Sequence, residues 1–227
     1  MTTRTTRTPL PDTIAIIEAA LPHVPFDGWS MTALRRGAVD AGGVPDDATC
    51  AFSGGQAEAV ELWNALCTAR MAERLAATDL AGMKVRERIA LAVRLRLEEY
   101  GEARETVRRT LAFLATPGHA ALATRLLYRT VDEIWYRCGD TSTDFNFYTK
   151  RGLLAGVYTA TLLCWLDDPS EGHAETWAFL DRRIADALRL GSLPARLKGR
   201  KPPAARVFDP ARFARRVATR LRDGQRG

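Results

Sequence analysis

The chain is poor in the residues that do chemistry. It has only three histidines, His23, His119 and His173, far apart in the sequence and none at an ExxH or HxxxH spacing. It has no GxSxG, no glycine-rich phosphate loop and no Cys/His pairing. Hydrolytic metal sites and activated nucleophiles need those sets, so no catalytic residue, no metal and no cofactor is expected. The carboxylates Asp132, Glu133, Asp140 and Asp144 do cluster, but without a metal-ligating partner they read as caps and a solvated turn. The four cysteines (Cys50, Cys67, Cys138, Cys164) make no CxxC. They sit on apolar periodic segments, which predicts reduced core thiols rather than disulfides. A run of about 20 apolar residues, the length of a membrane span, is missing too. The most apolar uncharged stretch here, Gly152–Leu166, is fifteen residues between Arg151 and Asp167. No apolar start resembles a signal peptide. MTTRTTRTP is basic and acid-free but short for a transit peptide, so residues 1–11 read as a tail and the chain as cytoplasmic and bacterial.

The balance of charge is also uneven. The net charge is +6, yet residues 191–227 hold eleven of the 33 Lys/Arg against Asp209 and Asp223 alone. That segment carries +9 and the other 190 residues −3. The folded body thus offers no composition for a nucleic-acid face.

What is present is helical periodicity, with no sustained alternation of β-branched residues. At 227 residues, a single all-α domain of about ten helices is expected over residues 12–191. Helix signals run over 12–21, closed by Pro22 and Pro25, and then from the N-cap Ser30 through Val39. Gly42-Gly43 makes a turn. Pro45 opens a third short helix to about Phe52, and Gln56 opens a long one. Apolar stripes continue at Val85–Leu97, Val107–Leu114 and Ala120–Cys138. A polar, aromatic turn at Gly139–Arg151 precedes the apolar helix Gly152–Leu166, and a stripe of Trp177, Leu180, Ile184 and Leu188 ends at Gly191. Residues 192–208, with three prolines and several cations, read as a basic linker. Asp209-Pro210 then starts an amphipathic helix to 223, with Phe213, Val217 and Leu221 on one side and Arg212, Arg216 and Arg220 on the other. It can fold back on the body or lie on an anionic membrane surface; the arginines and the tether favour the membrane.

The order over residues 12–55 is the helix-turn-helix layout of tetracycline-repressor-type regulators. A ligand-responsive DNA-binding repressor is therefore the alternative reading. Its reading helix would be Pro45-Asp46-Asp47-Ala48-Thr49-Cys50, which starts with two acids and has no Lys or Arg. Phosphate neutralisation supplies most nonspecific affinity, so no nucleic-acid partner is expected.

The string Gly139-Asp140-Thr141-Ser142-Thr143-Asp144-Phe145-Asn146-Phe147-Tyr148-Thr149-Lys150-Arg151 resembles the signature of the accessory lipid-binding family of ubiquinone (coenzyme Q) biosynthesis. The likeness continues through Leu153-Ala155-Gly156-Tyr158-Thr159 and Glu175-Thr176-Trp177. The residues alone leave Gly152–Leu166 either as a plain core helix or as a cavity wall. The resemblance implies an isoprenoid quinone or other lipid beside that helix, with Leu153, Gly156, Val157, Ala160, Leu163, Trp177 and Leu180 as candidate contacts. It also implies docking of the demethoxyubiquinone hydroxylase on Ile134, Trp135, Asp144, Phe147 and Tyr148, a membrane contact through residues 209–223, and no catalysis by the chain itself. A homodimer peripheral to the inner face of a bacterial plasma membrane completes the expectation.

Overall fold

The computed structural model describes residues 12–140 and 145–191, apart from the side chains of residues 145–147, 188, 190 and 191. The tail 1–11, the linker 192–208 and the helix expected over 209–223 lie outside these residues. Every regular element described is helical, as periodicity requires: α1 Thr13–Ala20, α2 Val24–Asp27, α3 Met31–Asp40, α4 Pro45–Ala51, α5 Gln56–Ala76, α6 Val85–Glu98, α7 Arg104–Leu114, α8 Ala120–Arg137, α9 Phe145–Asp167 and α10 Ala174–Gly191.

Local chemistry sets the early boundaries. The Asp12 carboxylate accepts from the Ile14 amide, and the Ser30 hydroxyl accepts from the Ala33 amide at 3.2 Å. At α4, Pro45 needs no donor and the Asp47 carboxylate accepts from the Val44 amide at 2.8 Å. The two acids of α4 thus serve its N-terminus. Pro22 and Pro25 do not simply close α1, as expected. Each sits in the first turn of a new helical segment, where its missing N–H is no loss, and the second segment is α2. α1 and α3 pack so closely that a Cβ on Gly37 would meet Ala20 Cβ at 2.6 Å and the Ile16 carbonyl at 2.7 Å.

The α1–α4 unit is tied to the rest through α7. Trp29 Nε1 donates to Thr110 Oγ1 at 2.7 Å, and Arg109 Nε donates to the Pro25 carbonyl at 3.0 Å. Beyond it α5 lies against α6 and α8, α8 against α9, and α9 against α10, which returns to α6. One line of rings runs through this body: Trp29, Trp63, Tyr100, Trp165, His173 and Trp177, with successive centroids 5.4–6.2 Å apart. Offset and edge contacts of this kind add to plain burial. Cys67 and Cys138 are core thiols, and burial pushes Cys138 up to about 12. Cys50 departs from expectation and is exposed on α4.

The α9–α10 corner is fixed by one carboxylate. Asp168 is buried and accepts from the amides and hydroxyls of both Ser170 and Thr176 at 2.6–2.9 Å. Burial opposes its ionisation, but these hydrogen bonds outweigh it and hold the carboxyl well below the usual carboxylate range. A depressed folded pKa contributes stability above the unfolded value, near 3.9, and that stability is lost as pH falls through the folded value. Asp168→Asn should therefore be less stable than the parent at pH 7 in urea unfolding. The gap should begin to narrow as pH falls below about 4 and go on narrowing toward the folded value, and a gap independent of pH would refute the ionised cap.

Candidate functional site

α9 begins seven residues before the expected start at Gly152, so much of the Gly139–Arg151 turn is helix. The stretch Phe145–Arg151 contains no glycine or proline, and its polar residues were no obstacle to a helix that is covered elsewhere. Gly152 is consequently an interior helical residue, with nothing within 4 Å of where its Cβ would be.

Between α5, α7, α8 and α9 lies a cavity of about 530 Å³. Its walls are mostly apolar: Val60 and Trp63 from α5, Leu111 and Leu114 from α7, Leu127 and Val131 from α8. The size and lining are those of a small-molecule pocket. α9 supplies Tyr148, Arg151, Gly152, Ala155, Tyr158, Thr159 and Leu162, a stripe at helical spacing.

That stripe corrects the expected lining. None of Leu153, Gly156, Val157, Ala160 or Leu163 faces the cavity, since they occupy the other sides of α9. Leu180 and Val157 are buried in the core, and Gly156 is exposed. Trp177 belongs to the line of rings, with its Nε1 donating to the Gly172 carbonyl at 2.7 Å. A helix apolar on all sides has no hydrophobic stripe to reveal its rotation. The usable signal was the hydroxyl-tipped pair Tyr158-Thr159, since polar tips on an apolar helix need a wet or hydrogen-bonding neighbour.

The docking residues also separate. Ile134 and Trp135, expected to dock the hydroxylase, are buried and offer a partner little surface. Trp135 Nε1 donates to the Lys150 carbonyl at 3.2 Å, and the Lys150 ammonium lies 5.4 Å from the ring centroid. α8 turns these two residues inward because they follow Leu126 and Val131 on its core face. Among the described residues, Tyr136 and Tyr148 are the large aromatics exposed at this corner, 67% and 71% respectively. Asp144 and the side chain of Phe147 lie outside the described residues, as do Phe213, Val217, Leu221, Arg212, Arg216 and Arg220. Tyr148 is thus both exposed and part of the cavity wall, so the corner and the cavity adjoin there.

Ion pairs hold that junction. Arg151, buried, reaches Asp132 at 2.5 Å and Asp140 at 3.3 Å, and Lys150 reaches Asp140 at 2.8 Å. Against the lining residues Asn64 and Tyr100 stands Arg96, fully buried on α6. Its Nη2 donates to Asn64 Oδ1 at 2.9 Å, its Nε to Thr68 Oγ1 at 3.3 Å, and its guanidinium lies 4.6 Å from the Tyr100 ring centroid. Sequence reading missed Arg96 because it stands among the alternating cations of an ordinary-looking helix, Arg86 to Arg96. Among the described residues no group of three His, Cys, Asp or Glu could hold a metal ion, and no helix is long and apolar enough to cross a membrane.

Removing one partner from a buried ion pair strands the other charge and costs about 3–5 kcal/mol. Asp140→Ala leaves Arg151 its bond to Asp132, so it should lose part of that, about 2 kcal/mol, in chemical denaturation. Glu133→Ala, which breaks the exposed pair with Arg137, should lose less than about 1 kcal/mol. Equal losses would mean that the Asp140 pairs are no more protected than a surface bridge.

The COQ9 family model matches residues 120–191, which carry both the corner and α9. A ubiquinone biosynthesis protein COQ9, mitochondrial, of Drosophila melanogaster is 36% identical over 86% of this chain and 61% of its own length. The rat and human proteins of that name are 33% and 31% identical, each over 81% of this chain and over 61% and 59% of their own lengths. The chain thus spans about three-fifths of the curated relatives it matches. A TetR transcriptional regulator from Nitrosomonas europaea shares the fold, with a TM-score of 0.64 and 18% identity over 78% of this chain and 98% of that one. The expected location, cytoplasmic and on a bacterial plasma membrane, is corrected by the relatives, which are named as mitochondrial proteins. It had rested on the first eleven residues, and address segments are read by receptors rather than built into a fold. Residues 120–191, which carry the corner and α9, thus form a COQ9-family segment, and the chain has a tetracycline-repressor-type fold.

Proposed function

We propose that the chain serves ubiquinone biosynthesis without catalysing a step: it holds an isoprenoid quinone precursor in the α5/α7/α8/α9 cavity and delivers it to the demethoxyubiquinone hydroxylase at the Tyr136/Tyr148 corner. The observation that carries this reading is the apolar cavity whose α9 wall runs out to an exposed aromatic corner at Tyr148. The relatives' names supply the pathway. Burial of a polyprenyl chain gains about 0.8 kcal/mol per CH2, which offsets its removal from a bilayer. Large exposed aromatics next to such an opening are the usual anchors of a partner surface.

The regulator-like fold leaves DNA binding as the rival. Against it stands α4, whose first turn carries Asp46 and Asp47 and whose seven residues include no cation. Sequence-specific retardation of genomic fragments at physiological salt would favour the rival.

Organic extraction of the purified protein followed by mass spectrometry should yield an isoprenoid lipid. Ala155→Phe, which fills the wall from α9, should reduce its amount severalfold at unchanged helical content. A lipid-free parent protein, or an unaffected Ala155→Phe variant, would sink the cavity reading. For the corner, Tyr136→Ala with Tyr148→Ala should lose at least about tenfold in affinity for the hydroxylase, since each aromatic anchor contributes more than about 1 kcal/mol. Undiminished capture would remove this corner as the dock.

A further inference from the structure

Among the described residues, Arg96 carries the one buried side-chain polar atom without a hydrogen-bond partner. A guanidinium has five N–H donors and keeps its charge under all protein conditions. This one is 0% exposed, and its Nη1 has no hydrogen-bond partner among the described residues. No described carboxylate pairs with it; its polar surroundings are Asn64, Thr68, Tyr100, Tyr158 and the Cys67 thiol. A buried cation without an anion is among the most unfavourable arrangements a fold can keep.

Its neighbours lead into the cavity. Asn64, Tyr100 and Tyr158 line it, as does Thr130, which accepts from Asn64 Nδ2 at 3.4 Å. The hydroxyls of Tyr100 and Tyr158 are 3.5 Å apart, so one O–H donates to the other and the second O–H is left to donate elsewhere. Burial holds the Tyr100 phenol well above its ordinary pKa, so it stays a donor. The faces of Trp63 and Tyr100, centroids 5.4 Å apart, form an aromatic surface at the same place. Tyr158 lies ten residues along α9 from Tyr148, about 15 Å at 1.5 Å per residue, so this polar end is the end remote from the exposed corner.

We propose that the Asn64/Tyr100/Tyr158 end of the cavity, under the charge of Arg96, is the seat of the ligand's oxygen-bearing aromatic head, a quinone or its phenolic precursor, with the isoprenoid tail running toward Tyr148. The proposal rests on the lipid-holding reading of the same cavity and adds to it an orientation and a head-group class. A flat ring with carbonyl or phenolic oxygens matches neutral donors beside aromatic faces. A phosphate head, which carries more charge, would need several cations or amides converging on it, and Arg96 is the only cation among the residues named here. Delivery from this pose requires the tail to leave first and the ring last.

The test compares three probes by native mass spectrometry on the full chain: a short-chain ubiquinone with a ten-carbon tail, a saturated isoprenoid hydrocarbon without a head, and farnesyl phosphate. The parent should bind the quinone at least about tenfold more tightly than the hydrocarbon, the usual effect of hydrogen bonds in a charged setting. Arg96→Met removes the charge at similar bulk, and Tyr158→Phe removes a single hydroxyl and keeps the fold should the first variant not. Each should erase most of the quinone preference while leaving hydrocarbon affinity unchanged. An equal loss for quinone and hydrocarbon would make Arg96 a shaping residue only and overturn the proposal. So would a parent without head preference, or tighter binding of farnesyl phosphate than of the quinone. If neither quinone nor hydrocarbon binds the parent, the cavity reading itself falls and takes the orientation with it.

Discussion

α9 imposes the condition that the rest of the body satisfies. For its last sixteen residues it carries one charge, Asp167 at the very end. A helix apolar on every side must be enclosed on every side or leave surface that water penalises. α8 covers one flank, α10 another, and α6 meets it from within. The remaining sector faces the cavity, where Gly152 and Ala155 stand back from α7 and α8 instead of filling the gap. Gly152 and Ala155 thus help to keep the α9 wall of the cavity open.

The polar groups of the interior are spent sparingly and at two ends. Near Tyr148 the charges compensate one another: Arg151 and Lys150 against Asp132 and Asp140. Near Tyr158 they do not, because Arg96 has only neutral partners. An apolar channel with a closed charge balance at one end and an open one at the other is polarised along its length. In a low-dielectric setting such a field is felt over the whole cavity.

Much of this was legible in the residues. Helix positions followed from caps and stripes, with Asp12, Ser30 and Pro45 placed as their chemistry dictates. The regulator-type order of the first helices was readable for the same reason. The rotation of α9 was not, since hydrophobic periodicity has no phase when every face is apolar. Nor was the inward turn of Ile134 and Trp135, because proximity to a polar turn says nothing about which side of α8 a residue occupies. Arg96 escaped for a different reason: local sequence does not distinguish a solvated arginine from one sealed under Tyr100. Phe145–Arg151 reads as a turn because it continues the polar run from Gly139, although backbone propensity there permits a helix.

The line of rings from Trp29 to Trp177 gives the molecule an optical property. All five tryptophans lie among the described residues, four of them in that line and Trp135 apart at the corner. Trp29 and Trp63, with centroids 5.6 Å apart, are close enough to exchange excitation directly, and Trp63 brings that pair to the cavity wall. The protein's own emission is thus wired to the state of its cavity, while Trp135, stacked under Lys150, registers the corner as a separate signal.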